Sequence, residues 1–232
     1  MNKIGIVCAG DKELKPFLAY ITDTKVTEKA MLKFYEGMIG NTPVVALYSG
    51  VCKVNAAIAT QILIDIYHTN IIINAGTAGG MDEKIKLFDT IIAEQTAYHD
   101  VADNILTEFH PWLEDVYFPS DKMLISIAKE YSKSSKYPIY FGKMVTGEAF
   151  IEDSGRAEIN AKHAPLSVDM ETASIAHVCY ANNIPFIAIR SITDTATHSG
   201  AGMFEQNVVK ASEIACNITI AFIDKISSEI IC

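Results

Sequence analysis

Arginine is nearly missing from this chain. Of 232 residues only Arg156 and Arg190 carry a guanidinium, the fork that best matches an oxyanion, so a phosphate cradle is poorly supplied. Positive charge is also in deficit overall. The net charge is −9, so phosphate backbones and anionic membrane surfaces are repelled, and neither nucleic acid nor membrane is an expected partner. Apolar stretches break well short of the ~18 residues a membrane span needs. Met1-Asn2-Lys3 leads directly into a strand-like run, without a signal-peptide pattern. The five cysteines, Cys8, Cys52, Cys179, Cys216 and Cys232, show no paired spacing. That speaks against a disulfide frame or a zinc site and for reduced thiols in the cytoplasm.

What is present is a folding sequence. Half of the residues are hydrophobic and a fifth are charged, which implies one compact domain or a close pair with a full core, and with no boundary visible 1–232 reads as one domain. Short β-branched runs at 4–7, 34–39, 44–48, 71–74, 90–93, 143–146 and 186–190 read as strands. Helical periods cover 53–68, 169–181 and 203–226, the last with apolar residues at steps of three and four. The alternation implies an α/β layer fold with a largely parallel or mixed sheet. The segment 98–121 has no clear period and reads as a functional or interface loop. Helix 53–68 is apolar on nearly every face, as in a helix covered on both sides.

In open α/β sheets ligands sit beyond the carboxyl ends of the strands. The segments that follow the strands are Cys8-Ala9-Gly10-Asp11-Lys12-Glu13, Ala75-Gly76-Thr77-Ala78-Gly79-Gly80, Gly147-Glu148-Ala149-Phe150-Ile151, Asp169-Met170-Glu171 and Ser191-Ile192-Thr193-Asp194. Carboxylates, hydroxyls and glycines thus gather at one edge, as at a small-molecule site. Each piece also has a plain reading. Glu13 suits the first turn of a helix, Asp169 or Glu171 a cap, Asp194 a turn, and 76–80 a tight strand-to-helix turn. The glycines fit neither the Walker A nor the G-x-G-x-x-G spacing. The six histidines show no ligand spacing, so no metal site is expected, and no nucleophile elbow is present.

Taken in order, Ile4-Gly5-Ile6 with Glu13, Ser49-Gly50-Val51-Cys52-Lys53-Val54-Asn55-Ala56-Ala57, Asn74-Ala75-Gly76-Thr77-Ala78-Gly79-Gly80, Val168-Asp169-Met170-Glu171 and Arg190-Ser191-Ile192-Thr193-Asp194 resemble the 5′-methylthioadenosine/S-adenosylhomocysteine nucleosidases of the nucleoside phosphorylase superfamily. The resemblance runs from Lys3 to the last helix. It implies a three-layer α/β/α domain with a mixed, partly closed central sheet, a homodimer, and cofactor-free hydrolysis of an adenine nucleoside. Carried over residue by residue, it implies that Asp194 protonates the purine and Glu13 activates the attacking water. Glu171 would bind the ribose hydroxyls, Met170 pack on the sugar, Phe150 stack on adenine and the Ile151 backbone read its edge. Arg190 and Thr77 would help hold the water. Asp169, Val51, Ala78, Gly79, Thr193 and Phe204 would complete the substrate lining.

The chain departs from the family pattern at several points. Asp169 stands where a second glutamate is usual, Cys52 where a glycine is usual, and Gly10 where a methionine is common. Residues 102–118 replace an aromatic, glycine-rich segment that reaches across the dimer. Phe109, Pro111 and Trp112 there either wall a pocket for the 5′ substituent or simply pack at the dimer contact. A purine nucleoside phosphorylase, a futalosine-type hydrolase and a non-catalytic nucleoside-binding module stand as alternatives. Two arginines, with Arg156 expected at a helix start away from the sugar and Lys53 as the only reserve, favour hydrolysis over phosphorolysis. Survival of Glu13, Glu171 and Asp194 favours an enzyme over a binding module.

Overall fold

Short, nearly unbroken apolar runs dictate the central strands. In a computed structural model that describes residues 2–110 and 113–230, the chain runs β1 (Ile4–Cys8), α1 (Asp11–Leu18), β2 (Thr22–Lys29), β3 (Leu32–Ile39), β4 (Thr42–Tyr48), α2 (Lys53–Asp65) and β5 (Ile71–Gly80). It continues through β6 (Thr90–Tyr98), α3 (Asp103–Phe109), β7 (Tyr117–Pro119), α4 (Lys122–Ser132), β8 (Ile139–Thr146) and α5 (Asp153–His163). The last elements are β9 (Ser167–Asp169), α6 (Thr172–Asn182), β10 (Phe186–Asp194) and α7 (Ala201–Ile230).

Successive side chains of a strand point to opposite faces, and both faces of this sheet are covered. Ile4, Ile6, Val44, Ala46, Ile71 and Ile73 pack with Leu14 and Phe17 of α1, Leu124 of α4 and Ile218 and Phe222 of α7. The intervening Val7, Val45, Leu47 and Ile72 pack with Ala56 and Leu63 of α2 and Ile175 and Cys179 of α6. Two apolar layers around one sheet give the three-layer α/β/α arrangement that the resemblance implies.

The sheet is mixed and partly closed. β4, β1, β5 and β10 run parallel side by side. From β10 the path continues through β6, β8 and β9 and returns to β5, closing five strands into a ring. The other end opens into the antiparallel strands β3 and β2. β2 carries no apolar run and is exposed along nearly its whole length. Its charged side chains, Asp23, Lys25, Glu28 and Lys29, guard an edge against pairing with other chains, and the same composition hides it from a hydrophobic-pattern reading.

Two local expectations fail. Residues 76–80 do not turn into a helix but prolong β5 to ten residues, because small side chains there let other elements approach the strand closely. The loop reading of 98–121 also gives way, since α3 and β7 lie within it. Phe109, at the end of α3, is 68% exposed, while Pro111 and Trp112 lie outside the described residues.

Candidate active site

The strand ends converge. β1 ends against Ala9 and Gly10, and Glu13 in the first turn of α1 folds back over them. One oxygen of its carboxylate accepts from the backbone N–H groups of Ala9 at 2.7 Å and Gly10 at 3.1 Å. The other accepts from the Thr77 N–H at 2.6 Å and the Thr77 hydroxyl at 2.8 Å. The helix-start reading of Glu13 is thus correct as far as it goes, yet half of its contacts belong to β5. Four donors fix it, and none of these bonds needs a proton on the carboxyl. Gly76 makes room: a Cβ there would lie 2.5 Å from a Glu13 oxygen.

Next to Glu13 lies a fully buried arginine. Arg190 Nη2 is 2.9 Å from Glu171 Oε2, and its Nε is 3.3 Å from Asp169 Oδ2. Burial disfavours its charge, but the Asp169, Glu13 and Glu171 carboxylates outweigh that and hold it as a cation. Among the described residues its Nη1 is buried without a hydrogen-bond partner, a donor left for something in the cavity. Glu171 is pushed up to about 7 by burial, with Arg190 opposing and the Asp169 and Glu13 carboxylates adding to the rise. Its second oxygen accepts from the Cys52 N–H at 3.0 Å. That N–H is aimed by a backbone at φ 83° and ψ 163°, a region held almost wholly by glycine.

Asp169 lines the same space, but its oxygens are taken within the protein. They accept from the Thr146 hydroxyl at 2.6 Å, from the Glu171 and Thr172 N–H groups and from the Thr172 hydroxyl. It shapes the turn that presents Met170 and Glu171.

Asp194 stands on the far side. A bulge sets Thr193 and Asp194 together opposite Gly79, where β10 pairs with β5, and bulges re-aim side chains in this way. A Cβ on Gly79 would lie 3.0 Å from Asp194 Oδ2. Gly76 and Gly79 are three residues apart, so the two carboxyls are anchored about 10 Å apart along β5. Asp194 is 1% exposed. Burial raises it above the usual carboxylate range, while the Thr193 hydroxyl at 2.8 Å and the Arg156 guanidinium pull it back. Arg156 Nη2 lies 3.5 Å from Asp194 Oδ2.

These groups surround a cavity of about 370 Å³. Glu13, Val51, Thr77, Ala78, Gly79, Phe150, Asp169, Met170, Glu171, Arg190, Thr193, Asp194 and Phe204 all line it. Ile151 instead lines a small adjoining space with Phe150, Met170, Gly79 and Asp194. The Phe150 and Phe204 rings meet edge to face, 6.4 Å between centroids. Six acidic side chains, Asp11, Glu13, Asp169, Glu171, Asp194 and Glu205, line the cavity against Lys12 and Arg190. Lys12 is itself paired with Glu205. A polyanion entering here meets a surplus of negative charge.

Arg156 does lie in the first turn of α5 and does not line the cavity, but it is buried beside Asp194. Lys53 does not line the cavity: it is paired with Asp100 at 2.9 Å and Glu148 at 3.8 Å. Phe109 does not line the cavity of its own chain either. The sequence reading also passed over the lining by Lys12, Glu205 and Val208 and the Ala9 and Gly10 donors. The capping-box spacing Gly10 to Glu13 signals those donors, and the rarity of arginine was a signal for Arg156. Among the described residues no group of three or more His, Cys, Asp or Glu side chains is arranged to hold a metal ion, and no helix is long and apolar enough to cross a membrane.

Comparison with known proteins adds an independent line. The phosphorylase superfamily model matches residues 3–224. A 5′-methylthioadenosine/S-adenosylhomocysteine nucleosidase of Halalkalibacterium halodurans is 33% identical over 231 residues, which cover 97% of this chain and 100% of its own. Its counterpart in an Exiguobacterium species is 34% identical over 228 residues, 94% of this chain and 96% of its own. Among solved structures, the nucleosidase of Colwellia psychrerythraea in complex with adenine matches with a TM-score of 0.88 at 30% identity. The match covers 97% of this chain and 95% of that one. The futalosine hydrolase of Helicobacter pylori matches at TM-score 0.88 and 24% identity, over 97% of this chain and 98% of its own, a likeness of fold.

Proposed function

This chain belongs to the 5′-methylthioadenosine/S-adenosylhomocysteine nucleosidase family of the phosphorylase superfamily, and from that premise we propose that its cavity hydrolyses the N-glycosidic bond of 5′-methylthioadenosine, S-adenosylhomocysteine or both. The products are adenine and the 5′-substituted ribose. One observation carries the reading: two carboxyls line one cavity, Glu13 fixed by four donors and Asp194 raised by burial.

Breaking the bond between C1′ and the purine nitrogen sends the electron pair to the base and leaves positive charge on the ribose. In this proposal Asp194 gives its proton to the leaving purine, and Glu13 takes a proton from the water whose oxygen bonds to C1′. The net change is the addition of one water, and the two carboxyls return to their starting states by exchange with solvent. The pairing of an acid with a base across the scissile bond follows the logic of inverting glycosidases. Glu171 serves the ribose hydroxyls and, with Asp169 and Glu13, supplies negative charge where the cation develops. Met170 packs on the sugar, Phe150 on the adenine, and Arg190 and Thr77 orient the water.

The cavity's charge argues against phosphorolysis. Both basic side chains that line it are already paired with carboxylates, so an incoming phosphate lacks a counter-ion. Adenine release from 5′-methylthioadenosine in phosphate-free buffer, with S-adenosylhomocysteine and inosine in parallel, tests the reading. Release without phosphate supports a hydrolytic adenine nucleosidase; a requirement for phosphate overturns it.

A homodimer is part of the same proposal. On the outer face of α2 and just beyond its ends, Val51, Val54, Ile58 and Ile66 are 49%, 69%, 43% and 48% exposed, an apolar strip that suits burial against a second copy. Light scattering should give twice the chain mass at micromolar concentration, and Val54→Asp with Ile58→Asp should halve it. A native monomer contradicts the claim. Free thiols at Cys8, Cys52, Cys179 and Cys216 suit the reducing cytoplasm proposed as its location.

A further inference from the structure

Arg156 has an unusual place for a charged side chain. It projects from α5 into a pocket where Met81, Val145, Ile159 and Val168 form a small apolar cluster, and it is 6% exposed. One end of the guanidinium donates to the Gly80 carbonyl and lies 3.5 Å from the Met81 sulfur. The other end is 3.5 Å from Asp194 Oδ2. Burying an ion here costs more than an apolar side chain of similar volume, so stability alone does not call for arginine.

We propose that Arg156 is a positioning residue for Asp194, orienting its carboxyl and making its proton easier to release to the leaving purine. The inference rests on Asp194 being the general acid. Thr193 holds Oδ1 from one side and Arg156 faces Oδ2 from the other, so the carboxyl plane is set by two donors. As the C1′–N bond breaks and the purine takes the proton, the aspartate left behind stands next to a cation. That pairing strengthens as the transition state is reached. Without it, burial alone would hold the proton too tightly for efficient donation. Among the described residues Arg156 is the one charged group within ion-pair distance of Asp194. The other charged groups around the cavity are Asp11, Lys12 and Glu13 on α1, Asp169 and Glu171 beside β9, Arg190 on β10 and Glu205 on α7, and His198 lies in the turn after β10.

The test is the pH profile of kcat/KM for adenine release by native enzyme, Arg156→Gln, Arg156→Lys and Asp194→Asn. Arg156→Gln should lose about 10- to 100-fold in kcat with KM little changed. Its alkaline limb should move up by about 1 pH unit, since removing a neighbouring cation raises the acid. Arg156→Lys keeps the charge but not the fork, so its limb should stay at the native position while kcat falls by a smaller factor. A slow Arg156→Gln with an unmoved limb makes Arg156 structural only and overturns the proposal. If Arg156→Gln does not fold, native kcat or a displaced limb in Arg156→Lys overturns it instead. Asp194→Asn separates the two levels: near-native turnover there sinks the acid assignment itself, whereas an inactive Asp194→Asn with an unmoved Arg156→Gln limb sinks only this inference.

Discussion

Two buried arginines flank one cavity, and the carboxyls beside them do different work. Arg190 faces Asp169 and Glu171 directly, with Glu13 close enough to add to its stabilisation. Arg156 faces Asp194. Around Arg190, three carboxylates against one cation leave surplus negative charge, which suits a centre where a ribose cation develops. Beside Arg156, burial raises Asp194 and so favours its neutral form. The same two residue types therefore support opposite tasks, and the surroundings of each carboxyl set which.

The strongest way to break this comparison is Asp194→Asn. It should cost about 10²–10⁴-fold in turnover, because the amide has no acidic proton to deliver. The same variant should be more heat-stable than native at pH 8. Asp194 is raised in the folded state, so native stability falls as pH climbs from the unfolded carboxylate's range through the folded value. Asparagine escapes that loss, so the gap in unfolding midpoint should close toward pH 4. A variant less stable than native at pH 8 would mean that the ionised aspartate is favoured by its surroundings.

Glu13→Gln acts on the other side. Turnover should fall by roughly 10²-fold or more while an unreactive adenine nucleoside analogue still binds, as calorimetry would report. Loss of binding in step with rate would make Glu13 a recognition group. Thr77→Val is milder: it removes one of four donors but keeps the backbone N–H, so kcat should drop by about 10-fold. Smaller again is Cys52→Gly, which relieves a side chain held at φ 83°. The N–H that reaches Glu171 is retained, so activity should stay near native while chemical denaturation shows a gain of about 1–2 kcal/mol. No gain would mean that the Cys52 side chain repays its strain by packing.

Much of this molecule is legible in its sequence because its central strands are short, nearly unbroken apolar runs. Ile4, Ile6 and Val7, or Val44, Val45 and Ala46, announce strands covered on two faces, α2 is apolar nearly all round, and α7 shows helical period over more than ten residues. β2 is not legible that way, because no residue in it is buried, whereas β9, though three residues long, shows as the short run 166–168 that leads to Asp169. The site is legible as a set of strand ends, which is why its carboxylates stand out together. What sequence spacing does not reveal is depth. Arg156 and Asp194 are 38 positions apart, and only the closure of the sheet through β9 and β8 lets α5 carry one to the other. Likewise the length of β5 depends on how closely Glu13 and Asp194 approach Gly76 and Gly79, a tertiary matter that a Gly-rich run leaves open.

The claim that water, and not phosphate, attacks the sugar at a centre crowded with carboxylates is tested most directly by isotope. 5′-Methylthioadenosine should be turned over in ¹⁸O-labelled water with phosphate in large excess, and the sugar product weighed by mass spectrometry. The account predicts one ¹⁸O at the C1′ hydroxyl and no phosphorylated sugar. A sugar 1-phosphate without the label would contradict it.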